Sequence, residues 1–192
     1  MKVAKVFAGL ALVLSAASFV SADVKTFKID PVHTTVNYRV LHAGVSPSYG
    51  RIDDPTGTFT IDSEDPTKST LEVSLDAAKI NSANPKRDDH LRGPDFFNVK
   101  QFPTITFKST SVKTAGENKW DVTGDFTLHG VTKPITISLT KIGEADLGAQ
   151  FGYRAGFDGT VTIKRSEFGM TNMIPMLGDE VTIVIGLEGV RE

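Results

Sequence analysis

Apolar and polar residues alternate with a period of two along most of the chain, and this pattern constrains the fold more than any other feature. Val36, Tyr38 and Val40 alternate with polar residues, and Val181, Ile183, Ile185 and Leu187 do so near the C-terminus. Similar runs recur in seven or eight segments separated by turn-forming residues. Because successive side chains of a strand point to opposite faces, the pattern predicts antiparallel strands with one buried face.

The sequence contains too few helical segments to cover such a sheet, so its apolar face must be buried against itself. The strand number and chain length favour an all-β fold, an eight-stranded antiparallel lipocalin-like barrel. The alternative is an immunoglobulin-type sandwich. The chain has no cysteine for the usual Cys…Trp…Cys pattern, and Trp120 lies next to a turn.

One stretch carries helix signals instead. Asn84 suits an N-cap, and Pro85 suits the first helical position, where an N–H group is not needed. Gly93 followed by proline ends the helix, and a second short turn can follow. Because a helix this short is unstable alone, we predict a helical segment over about 85–98 that packs against one end of the barrel as a plug.

The N-terminus resembles a secretory signal peptide. Lys2 and Lys5 precede an apolar run at 6–14, and small residues lead up to Asp23. This run is too short to span a bilayer, whereas an uncleaved anchor would need a longer one. We therefore predict that residues 1–22 are cleaved and that 23–192 form one barrel domain. Because this domain lacks cysteine, the sequence indicates a periplasmic location rather than a disulfide-stabilised extracellular module.

Charge excludes some partners. Without Lys2 and Lys5, 19 of the 21 basic residues remain against 23 acidic ones. The sequence shows no strongly basic face, so neither nucleic acid nor an anionic membrane surface is expected as a partner. No integral membrane segment is expected after signal cleavage.

The pattern alone does not decide whether the barrel encloses a ligand cavity. Gly124, Ala155, Gly159 and Gly186 are interpreted as small inward-facing residues that leave room in the lumen. The twelve phenylalanines of the sequence could instead fill it. Both possibilities stay open at this point.

The candidate chemical groups are dispersed. The four histidines form no short metal-binding pair, and the nearest two, His33 and His42, would face opposite sides of one strand. His90 with Asp88 or Asp89 could form an acid/base pair in a secreted enzyme. Alternatively, Arg87, Arg92 and Arg154 could, together with His90, hold the polar end of a ligand at the barrel mouth.

Four blocks of the sequence resemble the YceI-like family of exported, lipocalin-like proteins associated with polyisoprenoid binding. The blocks cover nearly all of the chain after the signal peptide and lie at 30–44, 87–109, 122–134 and 154–181. Thr34 stands where the family has serine, and 47–54 resembles only some members, which affects one barrel rim.

The resemblance implies a non-catalytic protein that binds or carries a long isoprenoid, quinone-like or similar amphiphile in the lumen. No cofactor is expected except a bound lipid, for example a polyprenyl or ubiquinone-type molecule, and no metal. The protein would be a monomer or homodimer. The expected lumen residues are Val36, Tyr38, Leu71, Leu75, Phe107, Phe126, Ile137, Phe157 and Val161. The expected mouth and plug residues are Arg87, His90, Phe96, Phe97, Arg154, Phe168, Met170 and Met173. The competing hypotheses are a secreted enzyme acting on an amphiphile, a metal-binding stress protein, and a filled barrel acting through its surface.

Overall fold

Eleven strands form one antiparallel sheet in the computed structural model, which describes residues 24–192. The predicted signal peptide, 1–22, lies outside the described residues. The strands are β1 Val24–Ile29, β2 Thr35–His42, β3 Ser46–Ile52, β4 Thr56–Asp62, β5 Thr70–Asp76, β6 Ile80–Asn81, β7 Thr104–Gly116, β8 Lys119–Leu128, β9 Val131–Asp146, β10 Tyr153–Lys164 and β11 Leu177–Arg191.

The sheet closes into a barrel with eight strand positions, because β11 pairs with β10 on one side and with both β1 and β2 on the other. The first three positions each consist of two successive strands: β1 and β2, β3 and β4, and β5 and β6. The barrel prediction is confirmed, and the sandwich alternative is wrong.

Short breaks divide these first three positions at 30–34, 53–55 and 77–79. At the first break, the Asp30 carboxylate accepts a hydrogen bond from the Val32 N–H (2.9 Å), which turns the backbone. At the third, the Asp76 carboxylate caps a single 3₁₀ turn by accepting from the Ala78 N–H (2.9 Å). Local side-chain bonds thus replace the ladder hydrogen bonds at these breaks.

The one α-helix within the described residues, α1, spans Pro85–Arg92. As predicted, the Asn84 side chain caps its N-terminus by accepting from the Arg87 N–H (3.1 Å), and Gly93 ends it. The remainder of the plug, 93–103, consists of turns and not of helix. No helix within 24–192 combines the length and the apolarity that crossing a bilayer requires.

Aromatic side chains fill the barrel half away from α1. The rings of Phe27 and Phe59 stack with centroids 4.9 Å apart, and Phe59 meets the edge of Phe157 at 5.6 Å. Trp120 packs on the other side of Phe157 at 5.1 Å. Offset and edge-on ring contacts of this kind make a dense, specific core. This half of the barrel is therefore closed.

The glycines differ from the sequence interpretation. A Cβ atom on Gly124 would lie 2.6 Å from the Phe107 ring, and one on Gly159 would lie 2.4 Å from a Leu139 methyl. These glycines therefore admit neighbouring side chains and do not leave open space. Gly186 lies between the inward-facing Ile185 and Leu187, so it faces outward, next to Thr35.

Candidate functional site

A cavity of about 160 Å³ occupies the half of the barrel nearest α1. The surface that lines this cavity is apolar. Leu71, Leu139 and Leu187 line both this cavity and a second one of about 20 Å³ toward the aromatic half. These three leucines therefore form the floor, and the cavity is a blind pocket and not a bore through the barrel.

Eight of the nine expected lumen residues line this cavity: Val36, Tyr38, Leu71, Leu75, Phe107, Phe126, Ile137 and Val161. Phe157 does not, because it belongs to the aromatic half. The sequence expectation omitted further wall residues that carry the same alternation, among them Ile135, Ile163, Val181, Ile183 and Ile185. That alternation was the signal that could have identified them.

Two segments close the upper end of the cavity. Leu91 of α1 and Phe96 and Phe97 after it reach the cavity from one side. Met170 and Leu177 reach it from the β10–β11 connection on the other side.

Two of the expected plug residues lie elsewhere. Phe168 is buried, does not line the cavity, and makes a T-shaped contact with the Phe126 ring, 5.5 Å between centroids. Met173 is 47% exposed and faces away from the cavity.

Polar side chains fasten α1 to the backbone around β6, whose outer edge has no strand partner. The Arg92 guanidinium donates to the carbonyls of Ala78 (2.7 Å) and Ile80 (3.2 Å). The Arg87 guanidinium donates to the Ser82 hydroxyl (2.7 Å), and Asp88 accepts from the Ser82 N–H (2.8 Å). Here Arg87 is thus engaged in holding the plug rather than facing the cavity.

Asp88 is buried, and burial alone would raise its pKa. The hydrogen bonds from Ser82 outweigh burial and hold that pKa below its ordinary value, so Asp88 is ionised at neutral pH. It therefore serves as a fixed acceptor in the plug.

His90 has a different carboxylate partner from the one expected. Its Nε2 lies 3.1 Å from Asp95 Oδ2, and its ring packs edge-on against Phe96 at 5.0 Å. Asp88 is bonded to Ser82, and Asp89 is mostly exposed beside Arg92. The acid/base pair of the enzyme hypothesis is thus not assembled.

Tyr38 is a wall residue whose hydroxyl group lies within the electrostatic influence of Arg87 and Asp88. Its ring crosses β3 at Gly50, where a Cβ atom would lie 2.3 Å from the hydroxyl oxygen. Burial raises the pKa of Tyr38 to about 12, against an opposing effect of the Arg87 charge. The phenol is therefore neutral at physiological pH, and it can donate a hydrogen bond next to the apolar cavity.

Arg154 does not lie at the cavity mouth. Its neighbours Ala155 and Phe157 are buried inside the barrel, so Arg154 points outward. Its Nη1 donates to Asp30 Oδ2 (2.7 Å) and to the Glu188 carboxylate, and His33 Nδ1 also contacts Asp30 (2.8 Å).

Asp30, His33 and Glu188 are close enough to resemble a metal site. The Arg154 guanidinium, however, already forms ion pairs with both carboxylates. Burial would raise the pKa of Asp30, but hydrogen bonds from His33 and Arg154 hold it well below its usual range. The cluster therefore joins the first break in the barrel wall to β10 and β11. The sequence analysis did not identify it, although Asp30-x-x-His33 belongs to the first family-like block.

Arg165 is a buried cation at the edge of the cavity, only 4% exposed. It donates to the carbonyls of Met170 (2.8 Å), Leu177 (2.8 Å) and Gly178 (2.9 Å). Burial lowers its pKa from the ordinary value, while the Asp179 charge opposes this. Its bonds tie together the two ends of the connection between β10 and β11.

Comparisons with known proteins agree with this architecture. The family model described as a YceI-like domain matches residues 27–189. Protein YceI of Escherichia coli O17:K52:H18 (strain UMN026 / ExPEC) is 40% identical over 181 residues, covering 94% of this chain and 93% of the relative.

Two solved structures share the fold. Burkholderia cenocepacia BcnA has a TM-score of 0.74 and 26% identity, covering 83% of this chain and 98% of its own. A polyisoprenoid binding domain from Saccharophagus degradans has a TM-score of 0.66 and 15% identity, covering 86% and 98%. At that identity, the second comparison concerns the fold alone.

Proposed function

This chain belongs to the YceI-like family, and on that premise we propose that it binds and carries an amphiphilic lipid. The apolar tail would occupy the barrel cavity. The ligand class that we propose is a long isoprenoid, a quinone-like molecule or a similar amphiphile. The polyisoprenoid-binding name of one structural neighbour agrees with this choice.

The observation that carries the proposal is the apolar cavity of about 160 Å³. At about 24 cal/mol per Å³, leaving such a cavity empty costs the fold about 4 kcal/mol. An engineered cavity of about this size, lined by Leu, Ile and Phe, stays dry and binds benzene. An apolar guest would therefore recover much of this free energy, whereas water would not.

The floor of three leucines supports a direction of binding. A tail must enter the cavity from the α1 side with its terminus first, because Leu71, Leu139 and Leu187 block passage toward the aromatic half. The polar headgroup would then remain near α1, where the Tyr38 hydroxyl can donate to it. A long tail exceeds the volume of the closed pocket, so Phe96 and Phe97 of the plug would have to move outward to make room.

The proposed ligand contacts follow from these positions. The lumen contacts are Val36, Tyr38, Leu71, Leu75, Phe107, Phe126, Ile137 and Val161, and the plug contacts are Phe96, Phe97 and Met170. No catalytic step is part of the proposal. We also propose that the protein is periplasmic, on the basis of the signal-like residues 1–22.

Extraction of natively purified protein with organic solvent, followed by mass spectrometry, tests the proposal. We expect an amphiphile with a long apolar tail that is enriched over an extract of an unrelated periplasmic protein. A titration of the delipidated protein with farnesol and geranylgeraniol should then show saturable binding. The absence of both an enriched lipid and saturable binding would refute the lipid-binding proposal.

A further inference from the structure

Two neighbouring loops place apolar side chains in solvent at the cavity end of the barrel. The first is the β2–β3 turn, 43–45, and the second is 171–176 of the β10–β11 connection; together we call them the apolar tip. Val45 is 84% exposed, Met176 54% and Ile174 39%. Large exposed apolar groups that lie together mark surfaces that contact a partner or a membrane.

The base of the apolar tip is well fixed. The Ala43 N–H donates to the Met176 carbonyl (2.6 Å), which joins the two loops. Arg165 bonds the carbonyls on both sides of the second loop, and Asp179 accepts from the Ser166 N–H (2.8 Å). The exposed side chains are therefore presented by an ordered support.

The apolar tip is continuous with the cavity. Met170 and Leu177, which flank the second loop, both line the cavity wall. A surface that receives the tip is therefore placed at the same end of the barrel through which a tail would pass.

The two loops of the apolar tip and the segments that flank them carry no acidic residue, whereas α1 at the same end of the barrel carries the exposed Asp89. Neither 31–52 nor 168–178 contains an aspartate or glutamate, although the chain has 23 acidic residues. Arg39 is exposed on the same hairpin, opposite the exposed Tyr49. An apolar tip without carboxylates, flanked by a basic and an aromatic side chain, suits the headgroup region of a phospholipid bilayer.

We propose that the apolar tip docks on the surface of a phospholipid bilayer, and that lipid cargo passes between bilayer and cavity at this contact. The apolar side chains of the tip enter the boundary between headgroups and acyl chains, and Arg39 lies near the headgroup phosphates. Docking shortens the path of an apolar tail through water. The cargo part of this inference rests on the proposed lipid-binding function.

Two matched double variants that introduce acidic residues test the docking site. In the tip variant, Val45→Glu and Met176→Glu are combined. The matched control combines Leu147→Glu and Phe151→Glu, which are 52% and 52% exposed at the opposite end of the barrel. Both double variants change the net charge equally, and all four residues lie outside the cavity wall.

Three measurements are made on each purified protein. Delipidated protein is floated with vesicles of phosphatidylethanolamine and phosphatidylglycerol, geranylgeraniol binding is titrated without vesicles, and the transfer rate of a fluorescent geranylgeraniol derivative between vesicles is measured. We expect flotation and transfer to fall about tenfold or more in the tip variant and to stay within about twofold of wild type in the control. Geranylgeraniol affinity without vesicles should be unchanged in both.

Flotation of the tip variant at the wild-type level would overturn the docking proposal, as would an equal loss in the control. A wild-type dimer that dissociates in the tip variant, with no flotation of either, would assign the surface to a second copy of the chain and also overturn it. If no protein binds geranylgeraniol while flotation still falls only in the tip variant, the lipid-carrier proposal fails and membrane docking stands.

Discussion

Filling the cavity provides a sharp test, because it should change stability and binding in opposite directions. Val161 lines the cavity from β10, opposite Ile183 of β11. The substitution Val161→Phe adds about four carbon atoms, which occupy about a third of the 160 Å³. The ligand-free protein should gain stability, and the space for a tail should shrink.

The expected magnitudes follow from the cavity. At about 24 cal/mol per Å³, filling a third of it contributes about 1 kcal/mol to the free energy of unfolding. For a domain of this size, that raises Tm by about 2–4 °C. A tail that withdraws by two to four carbons loses about 1.5–3 kcal/mol, so its Kd rises about ten- to hundredfold.

Thermal denaturation of the delipidated protein and titration with geranylgeraniol measure the two effects. Val184→Phe is the matched control, because Val184 is 42% exposed on the outer face of β11. The control should leave both Kd and Tm near wild type. A Val161→Phe protein that binds geranylgeraniol like wild type, or that loses stability as an overpacked core does, would refute the cavity argument.

Three further results are expected. Burial alone would raise the pKa of Glu144, but hydrogen bonds from Lys141, Lys25 and Tyr153 outweigh it and lower this pKa from 4.5 to about 2. Ionised Glu144 therefore stabilises the fold above about pH 4.5. This contribution is lost as the pH falls toward 2. Glu144→Gln should therefore lower the free energy of unfolding in urea by up to about 3 kcal/mol at pH 7 and by much less at pH 2; equal losses at both pH values would contradict this. Phe27→Ala should cost about 3–5 kcal/mol in the same assay without altering geranylgeraniol affinity, because Phe27 is fully buried in the aromatic half. Arg165→Met removes the hydrogen-bond donor to three backbone carbonyl groups and should lower the free energy of unfolding by about 3 kcal/mol. Amide hydrogen exchange over 171–178 should also become faster. Unchanged exchange would show that other contacts hold this connection.

Much of the barrel could be predicted because its determinants are local. Alternation at Val36 and Tyr38 identified which side chains face inward, since a one-residue slip would turn them all outward. The helix start followed from Asn84 and Pro85, whose capping chemistry depends only on near neighbours.

The remainder depends on contacts between distant parts of the chain. Phe157 has the same inward alternation as Val161, yet it packs with Phe59 and Trp120, and no local pattern records that partner. Arg154 binds Glu188, which lies on another strand. The alternation of inward-facing residues suggests that Gly159 leaves room for a ligand, but a methyl group of Leu139 occupies that space. Sequence periodicity therefore predicts which side chains point into the barrel better than it predicts where free volume remains.

Because β11 pairs with both β1 and β2, the eleventh strand of the described chain joins to the first. A nascent chain can form the hairpins between its middle strands, but it cannot complete the ring until Arg191 has left the ribosome. Until then its apolar faces lack a full partner, so the chain stays accessible to chaperones while it is being made. The position of one closing strand thus makes completion of the fold depend on β11, which suits a protein that we propose to fold only after crossing a membrane.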